Sequence, residues 1–310
     1  MRSGWEGVLY MVLLAIQFGV QPFFTVRFTR KEIPNITIVF VTELLKLLSC
    51  FAILVSSGSL SSSWKEWKWR ESFVVAAIPS LLYALQNVVN QSAYRNLDPI
   101  VFNLINQTKL LWSALALYLL LNRGQSTKQI FALVLLFLAS VLLTLPSGKE
   151  MRPVTTLPNN LISFLFTGVV PVFVGSVCSG IATALSQKAL QNMNRNSYLY
   201  SMELAFGSIL CLPFLAMVTG EYNVIQERGM WNDLTWRTMV PVVSNAAGGI
   251  IVGLVTKYAG GIRKGFSLIG GVLFTCFLQY FLEDSALKWN VWLSIPLVIM
   301  GIYIHTKNPL

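Results

Sequence analysis

The chain has 310 residues, 55% of them hydrophobic and 12% charged, with a formal net charge of +10. A soluble domain carries about twice that share of charged residues, so the composition excludes one. Apolar runs recur along the whole chain, each near the roughly 20 residues that cross a bilayer as a helix, and strand-length alternation is missing; together these describe a polytopic all-α membrane protein rather than a β-barrel.

The first run, Gly7–Phe28, has only Arg2 ahead of it and is too long for the apolar core of a cleaved signal, so it reads as a first span acting as its own signal-anchor. Asn35–Val55 follows, with Glu43 and Lys46 three residues apart on one face. Such a pair can neutralise itself and lock the helix against a neighbour, or it can serve gating or ligand contact. The third run, Ser72–Tyr94, sets Tyr83, Gln86, Asn87 and Asn90 at spacings of three and four, on one face. Amides so arranged either glue helices together or read the donors and acceptors of a heterocycle.

The fourth run, Asp98–Leu121, holds Lys109 near its middle, with no acid three or four residues away. Its neighbours on that face are Phe102, Ile105, Asn106, Trp112 and Ser113. An ionised group is costly in lipid, so Lys109 needs either a carboxylate from another helix, Glu43 or Glu203, or an anion that arrives and leaves. Thr127–Leu145 completes the first five spans.

After the polar stretch "PSGKEMRPVTTLPNN" come Leu161–Leu190, Ser197–Thr219, Thr238–Tyr258, Gly265–Leu282 and Lys288–Thr306. "CSGIATALSQK" supplies Ser179 and Thr183, "SYLYSMELAFGS" supplies Ser201 and Glu203, and "SNAAGG" joins Asn245 to glycines suited to close packing. In "TKYAGGIRKGFS", Gly260 and Gly261 break the chain ahead of Arg263 and Lys264, at the start of the ninth span. The N–H groups and dipole of a helix start favour phosphate; the same two residues would also serve as topology signals at the cytosolic interface.

Five spans on each side of the central stretch imply that a duplicated second half enters from the opposite face, an inverted five-plus-five repeat of residues 1–150 and 151–310. With both termini on one side, that side carries twelve lysines and arginines against nine opposite, and it reads as cytosolic. The four cysteines fall inside spans at no metal-like spacing, and His305 is the one histidine. No metal, cofactor or enzyme chemistry is therefore expected, and no nucleic-acid polymer; the surroundings are membrane lipid. Lys109 and Lys264, with amides and aromatic rings between them, suit a ligand that combines a phosphate with a planar base.

The segments "PSLLYALQN", "NLDPIVFNLINQTKLLWSAL", "CSGIATALSQKAL" and "SNAAGGIIVGLVTKYAGGIRKGFS" resemble the nucleotide-sugar transporter family of the drug/metabolite transporter superfamily. The likeness runs in order through nearly the whole chain, nearest to the branch that carries CMP-sialic acid, UDP-galactose and UDP-N-acetylglucosamine, particularly its plant-type members. It implies ten spans, cytosolic termini, and exchange of a cytosolic nucleotide sugar for a lumenal nucleoside monophosphate, CMP or UMP, across the Golgi or ER membrane. By motif matching, Tyr83, Asn87, Phe102 and Lys109 take ligand-contact positions in the first half, and Ser179 and Lys264 in the second. Phe102 stands where the animal CMP-sialic acid branch has tyrosine, and "YSMEL", with Ser201 and Glu203, replaces its Arg-Asn-x-Gln pattern. CMP-sialic acid and a UDP-sugar therefore both stay open as cargo, with export of another phosphorylated metabolite as the alternative. The full candidate set is Tyr83, Gln86, Asn87, Phe102, Asn106, Lys109, Ser179, Ser201, Asn245 and Lys264, with Glu43, Lys46 and Glu203 as gating or ion-pair groups.

Overall fold

Lipid offers a backbone no hydrogen-bond partner, so a chain this apolar must close its bonds within helices. The computed structural model describes residues 2–30, 32–96, 105–144, 165–283 and 289–308, and every regular element among them is helical. In chain order these are α1 (Arg2–Phe28), α2 (Asn35–Ser56), α3 (Leu60–Glu66), α4 (Trp69–Asn96), α5 (Lys109–Leu121), α6 (Thr127–Thr144), α7 (Val170–Gln187), α8 (Ser197–Thr219), α9 (Glu221–Arg228), α10 (Met239–Tyr258), α11 (Gly261–Glu283) and α12 (Trp289–Lys307). Single π-helical turns, Leu165–Val169 and Lys188–Asn192, extend α7 at both ends.

Seven helical stretches among the described residues are long and apolar enough to cross a bilayer: Trp5–Thr25, Asn35–Ser56, Val170–Asn192, Ser197–Thr219, Trp236–Tyr258, Gly261–Phe281 and Trp289–Lys307. α4 has the length, but its mid-helix amides lower its hydropathy; α6 is apolar and shorter. Three readings from the sequence shift. The short helices α3 and α9 occupy stretches read as plain connections. The ninth span starts at Gly261 rather than Gly265, which puts Lys264 inside the helix. The single run Asp98–Leu121 is broken by a turn at Thr108, and residues 97–104, Phe102 among them, lie outside the described residues. The boundary between the two expected repeats also falls outside them.

The most extensive packings all join the first half of the chain to the second. α1 lies along α10 and α11, and α7 lies along α4 and α5; α2 pairs with α8, and α6 with α12. The halves interlock instead of packing as separate bodies. Two glycines let helix backbones meet closely. A Cβ on Gly180 of α7 would lie 2.6 Å from the Trp112 carbonyl carbon of α5, and one on Gly19 of α1 would lie 2.7 Å from the Gly271 oxygen of α11. An apolar core built on Leu117, Leu136, Ala184, Phe266 and Val298 ties α5, α6, α7, α11 and α12 together. Outward, Phe73, Phe214, Phe281 and Trp292 are exposed, as lipid-facing side chains are. Exposed Trp5 and Trp69 lie near one end of the bundle and Trp236 and Trp289 near the other, the interfacial positions tryptophan favours.

Side chains close the starts of two helices, one from the preceding residue and one from a distant helix. Asn196 caps α8, accepting from the N–H groups of Tyr198 (2.9 Å) and Leu199 (3.4 Å). α2 follows Pro34 and has no side-chain cap of its own; the buried Glu221 of α9 takes that place, accepting from Ile36 N (2.9 Å) and Asn35 Nδ2 (2.8 Å). A carboxylate there satisfies free donors and complements the helix dipole. Glu221→Ala is therefore expected to cost about 1–2 kcal/mol, read as a lower melting temperature in detergent, with Glu221→Gln losing less.

Candidate functional site

α1, α4, α5, α7, α10 and α11 line a partly open cavity of about 310 Å³. Tyr83, Gln86, Lys109, Ser179, Asn245 and Lys264 all line it. The packing explains why: α7 carries Ser179 between α4 and α5, while α10 and α11 bring Asn245 and Lys264 against α1. Gly260, at φ 92°, makes the turn from α10 into α11, and its position allows Lys264 to point inward from the first turn of α11.

The cavity wall has two lysines and no aspartate or glutamate among the described residues. Lys264 Nζ donates to Thr183 Oγ1 at 2.7 Å and sits 6.0 Å from the centre of the Tyr83 ring. Lys109 Nζ has no ion-pair or hydrogen-bond partner among the described residues, although the Lys109 backbone oxygen accepts from Ser113 Oγ at 2.7 Å. The Gln86 side-chain oxygen is buried and likewise accepts from no described residue. An unpaired ammonium and an unsatisfied amide on one cavity wall leave hydrogen bonds there still to be made.

Neither carboxylate considered for Lys109 reaches it. Glu43 pairs with Lys46 of its own helix at 2.5 Å. Glu203 is held by Arg195 Nη2 at 2.6 Å and by Trp67 Nε1 at 2.9 Å, and Arg195 also donates to Ser72 Oγ at 2.8 Å. Arg195 comes from the connection before α8, and it folds back onto that helix.

The remaining candidates are less central. Ser201 is buried beside a small recess of about 40 Å³ that shares Tyr83, Gly249 and Val252 with the main cavity. Asn106 is half-buried and off the cavity wall, which takes its neighbour Gln107 instead. The turn at Thr108, whose hydroxyl bonds Ile105 O at 2.6 Å, breaks the spacing that had aligned Asn106 with Lys109. Phe102 and the side chain of Asn87 lie outside the described residues. The cavity also has Gln17, Gln107 and Thr183, which were not in the candidate set. Gln17 Nε2 bonds Ser244 O at 3.0 Å, and the only sequence signal for it was one amide inside an apolar span.

Two further spaces adjoin the site. One, of about 520 Å³, shares Phe18, Asn245 and Gly249 with it and extends to Asn35 and Glu221. The other, of about 550 Å³, shares Gly261 and is lined by Arg123, Gln187, Gln191, Arg263 and His305. An amide chain runs along the wall of this second space. Gln187 accepts from Gly261 N (2.7 Å) and donates to Gln191 (2.9 Å); Gln191 donates to Lys257 O (2.9 Å) and accepts from Arg123 (2.7 Å).

Apolar helices around a cavity with two lysines on its wall define a multi-pass membrane protein. The family model described as nucleotide-sugar transporter matches residues 8–306, and the chain belongs to that family. The Arabidopsis thaliana UDP-N-acetylglucosamine transporter ROCK1 is 36% identical over 306 residues, 99% of this chain and 93% of that one. A UDP-galactose transporter of Schizosaccharomyces pombe is 27% identical over 98% of this chain and 89% of its own. The human UDP-N-acetylglucosamine transporter is 27% identical over 88% and 85%. A solved crystal structure, 12% identical, superposes with a TM-score of 0.70 over 97% of this chain and 96% of the other, and so shares the fold.

Proposed function

We propose that the protein is an antiporter that carries a UDP-sugar from the cytosol into the Golgi or ER lumen and returns UMP by alternating access. The observation that carries this reading is the cavity with two lysines, an unsatisfied Gln86 and no described carboxylate on its wall. Lys109 and Lys264 would hold the phosphates, Tyr83 would stack on the base, and Gln86, Gln107, Ser179 and Asn245 would supply hydrogen bonds to base and ribose. Sugar conjugate and monophosphate share the nucleotide, so one site serves both. A bound phosphate lowers the cost of moving two ammonium groups past an apolar barrier, and the carrier then reorients readily only when loaded.

An inverted repeat suits such a cycle. Each half's first helix packs on two later helices of the other half, α1 on α10 and α11, and α7 on α4 and α5, a reciprocity expected of a two-fold in the membrane plane. The names of the relatives favour a UDP-sugar over CMP-sialic acid. Counterflow tests this: proteoliposomes preloaded with UMP should accumulate labelled UDP-N-acetylglucosamine or UDP-galactose, and CMP-loaded ones should not. Uptake that is independent of any preloaded nucleotide, or driven by CMP alone, overturns the reading.

A further inference from the structure

At the end of the bundle where α12 finishes, Arg123, Arg263 and His305 line the space of about 550 Å³, and no aspartate or glutamate stands on its wall among the described residues. From this we infer a second ligand site, apart from the central cavity, that binds a phosphate monoester.

Charge is the first argument. The guanidinium of Arg263 has no ion-pair or hydrogen-bond partner among the described residues. Arg123 donates to two neutral groups, Gln191 Oε1 at 2.7 Å and Asn192 Oδ1 at 3.0 Å, which fix its direction and leave its charge uncompensated. The backbone aims it there: Asn122, in the left-handed region at φ 51°, ends α5 and turns the chain. A guanidinium has donors to spare beyond two bonds, and its planar fork matches the oxygens of a phosphate. α11 also starts at this wall, and the dipole of a helix start favours an anion. Arg263 and Lys264 are consecutive, so they point about 100° apart around α11, one to each space.

His305 is the second, independent observation. It is 6% exposed, its ring meets Phe266 edge-on at 4.8 Å, and its Nε2 lies 3.2 Å from Gln125 Oε1. Gln125 Nε2 donates to Gly124 O at 3.1 Å, which turns the amide oxygen toward the imidazole and puts the ring proton on Nε2. Nδ1 is then the acceptor, buried and without a hydrogen-bond partner among the described residues. A buried polar atom left in that state is costly and calls for a partner. The second ionisation of a phosphate monoester lies near about pH 6, so part of it keeps a P–OH at neutral pH. That hydroxyl can donate to Nδ1 while the other oxygens accept from the arginines. A phosphate diester has no such proton and leaves Nδ1 unmet. Arginines kept only as topology signals need water, not a wall shared with a buried imidazole.

The monoester can come from solution or from a lipid headgroup, and two probes separate these sources. The full-length protein is first saturated with UDP-N-acetylglucosamine, which fills the central cavity and has no phosphate monoester. Inorganic phosphate should then raise the melting temperature at concentrations severalfold below those of sulfate, which lacks the proton for Nδ1. Arg263→Gln, at an exposed side chain without a described partner, should raise the half-maximal phosphate concentration about tenfold and leave the response to UDP-N-acetylglucosamine unchanged. In phosphatidylcholine nanodiscs, added phosphatidic acid should stabilise the parent more than phosphatidylglycerol does, with the difference lost in Arg263→Gln, if the ligand is a lipid. A response to inorganic phosphate alone assigns the site to a soluble monoester. No response to either probe, sulfate equal to phosphate, or a phosphate response unchanged in Arg263→Gln overturns the inference. A protein indifferent to UDP-N-acetylglucosamine that keeps the Arg263-dependent response would overturn the transport reading and leave this site standing.

Discussion

Replacing Lys109 by alanine is expected to reduce nucleotide exchange in proteoliposomes by about a hundredfold while leaving the empty protein at least as stable as the parent. The two halves of that expectation have one cause. Lys109 faces the cavity, and its ammonium has no carboxylate or hydrogen-bond partner among the described residues, so the empty protein carries the desolvation cost of an unpaired charge. Alanine removes that cost. With phosphate bound, a charge-assisted hydrogen bond contributes about 1.5–3 kcal/mol, or roughly 10- to 150-fold in affinity. Counterflow with UMP-loaded liposomes measures the first effect, and the melting temperature without ligand measures the second. Lys109→Arg should restore part of the exchange, because it keeps the charge and changes its shape. Exchange at parental rates by Lys109→Ala would remove the lysine from the mechanism. A large fall in stability without ligand would make it a structural charge.

How far the sequence reveals this site depends on the range of the physics at each residue. Apolar length is local, so the runs around Asn35–Ser56, Ser197–Thr219 and Trp289–Lys307 appear in the structure within a few residues of their expected bounds. One-face spacing within a helix is also local. It brought Tyr83 and Gln86 to the same cavity and failed for Asn106, where the turn at Thr108 interrupts the helix. The partners of charged groups are local in one case and distant in another. Glu43 found its partner three residues away on its own helix, as i,i+3 spacing suggests. Glu203 found Arg195 in a connection and Trp67 on a distant loop, which no periodicity encodes. Gln17 is the clearest omission: one amide in "LAIQFGV" has no pattern around it, and only the packing of α1 on α10 brings it to the cavity wall.

Glu203→Ala is expected to have the opposite signature to Lys109→Ala, a loss of about 3–5 kcal/mol of stability. Arg195 and Glu203 are 12% and 10% exposed at the side chain, and they hold each other at 2.6 Å. Removing the carboxylate leaves a buried guanidinium uncompensated and takes the acceptor from Trp67 Nε1, while Arg195 keeps only Ser72 as a described side-chain partner. A second change separates stability from transport. Replacing both partners by apolar residues, Arg195→Met with Glu203→Leu, should recover most of the lost melting temperature, because desolvation of a buried pair offsets much of its attraction. The backbone oxygen of Arg195 also accepts from Lys257 Nζ at 2.9 Å, so this cluster ties the start of α8 to the end of α10, next to the amide chain of Gln187 and Gln191. A carrier that admits cargo from this end has to part those helices. If the double variant regains stability but exchanges more slowly, the polar cluster sets the opening of this end; if it regains both, the pair is a structural tie alone. A Glu203→Ala protein with an unchanged melting temperature would show that the ion pair does not hold α8 in place.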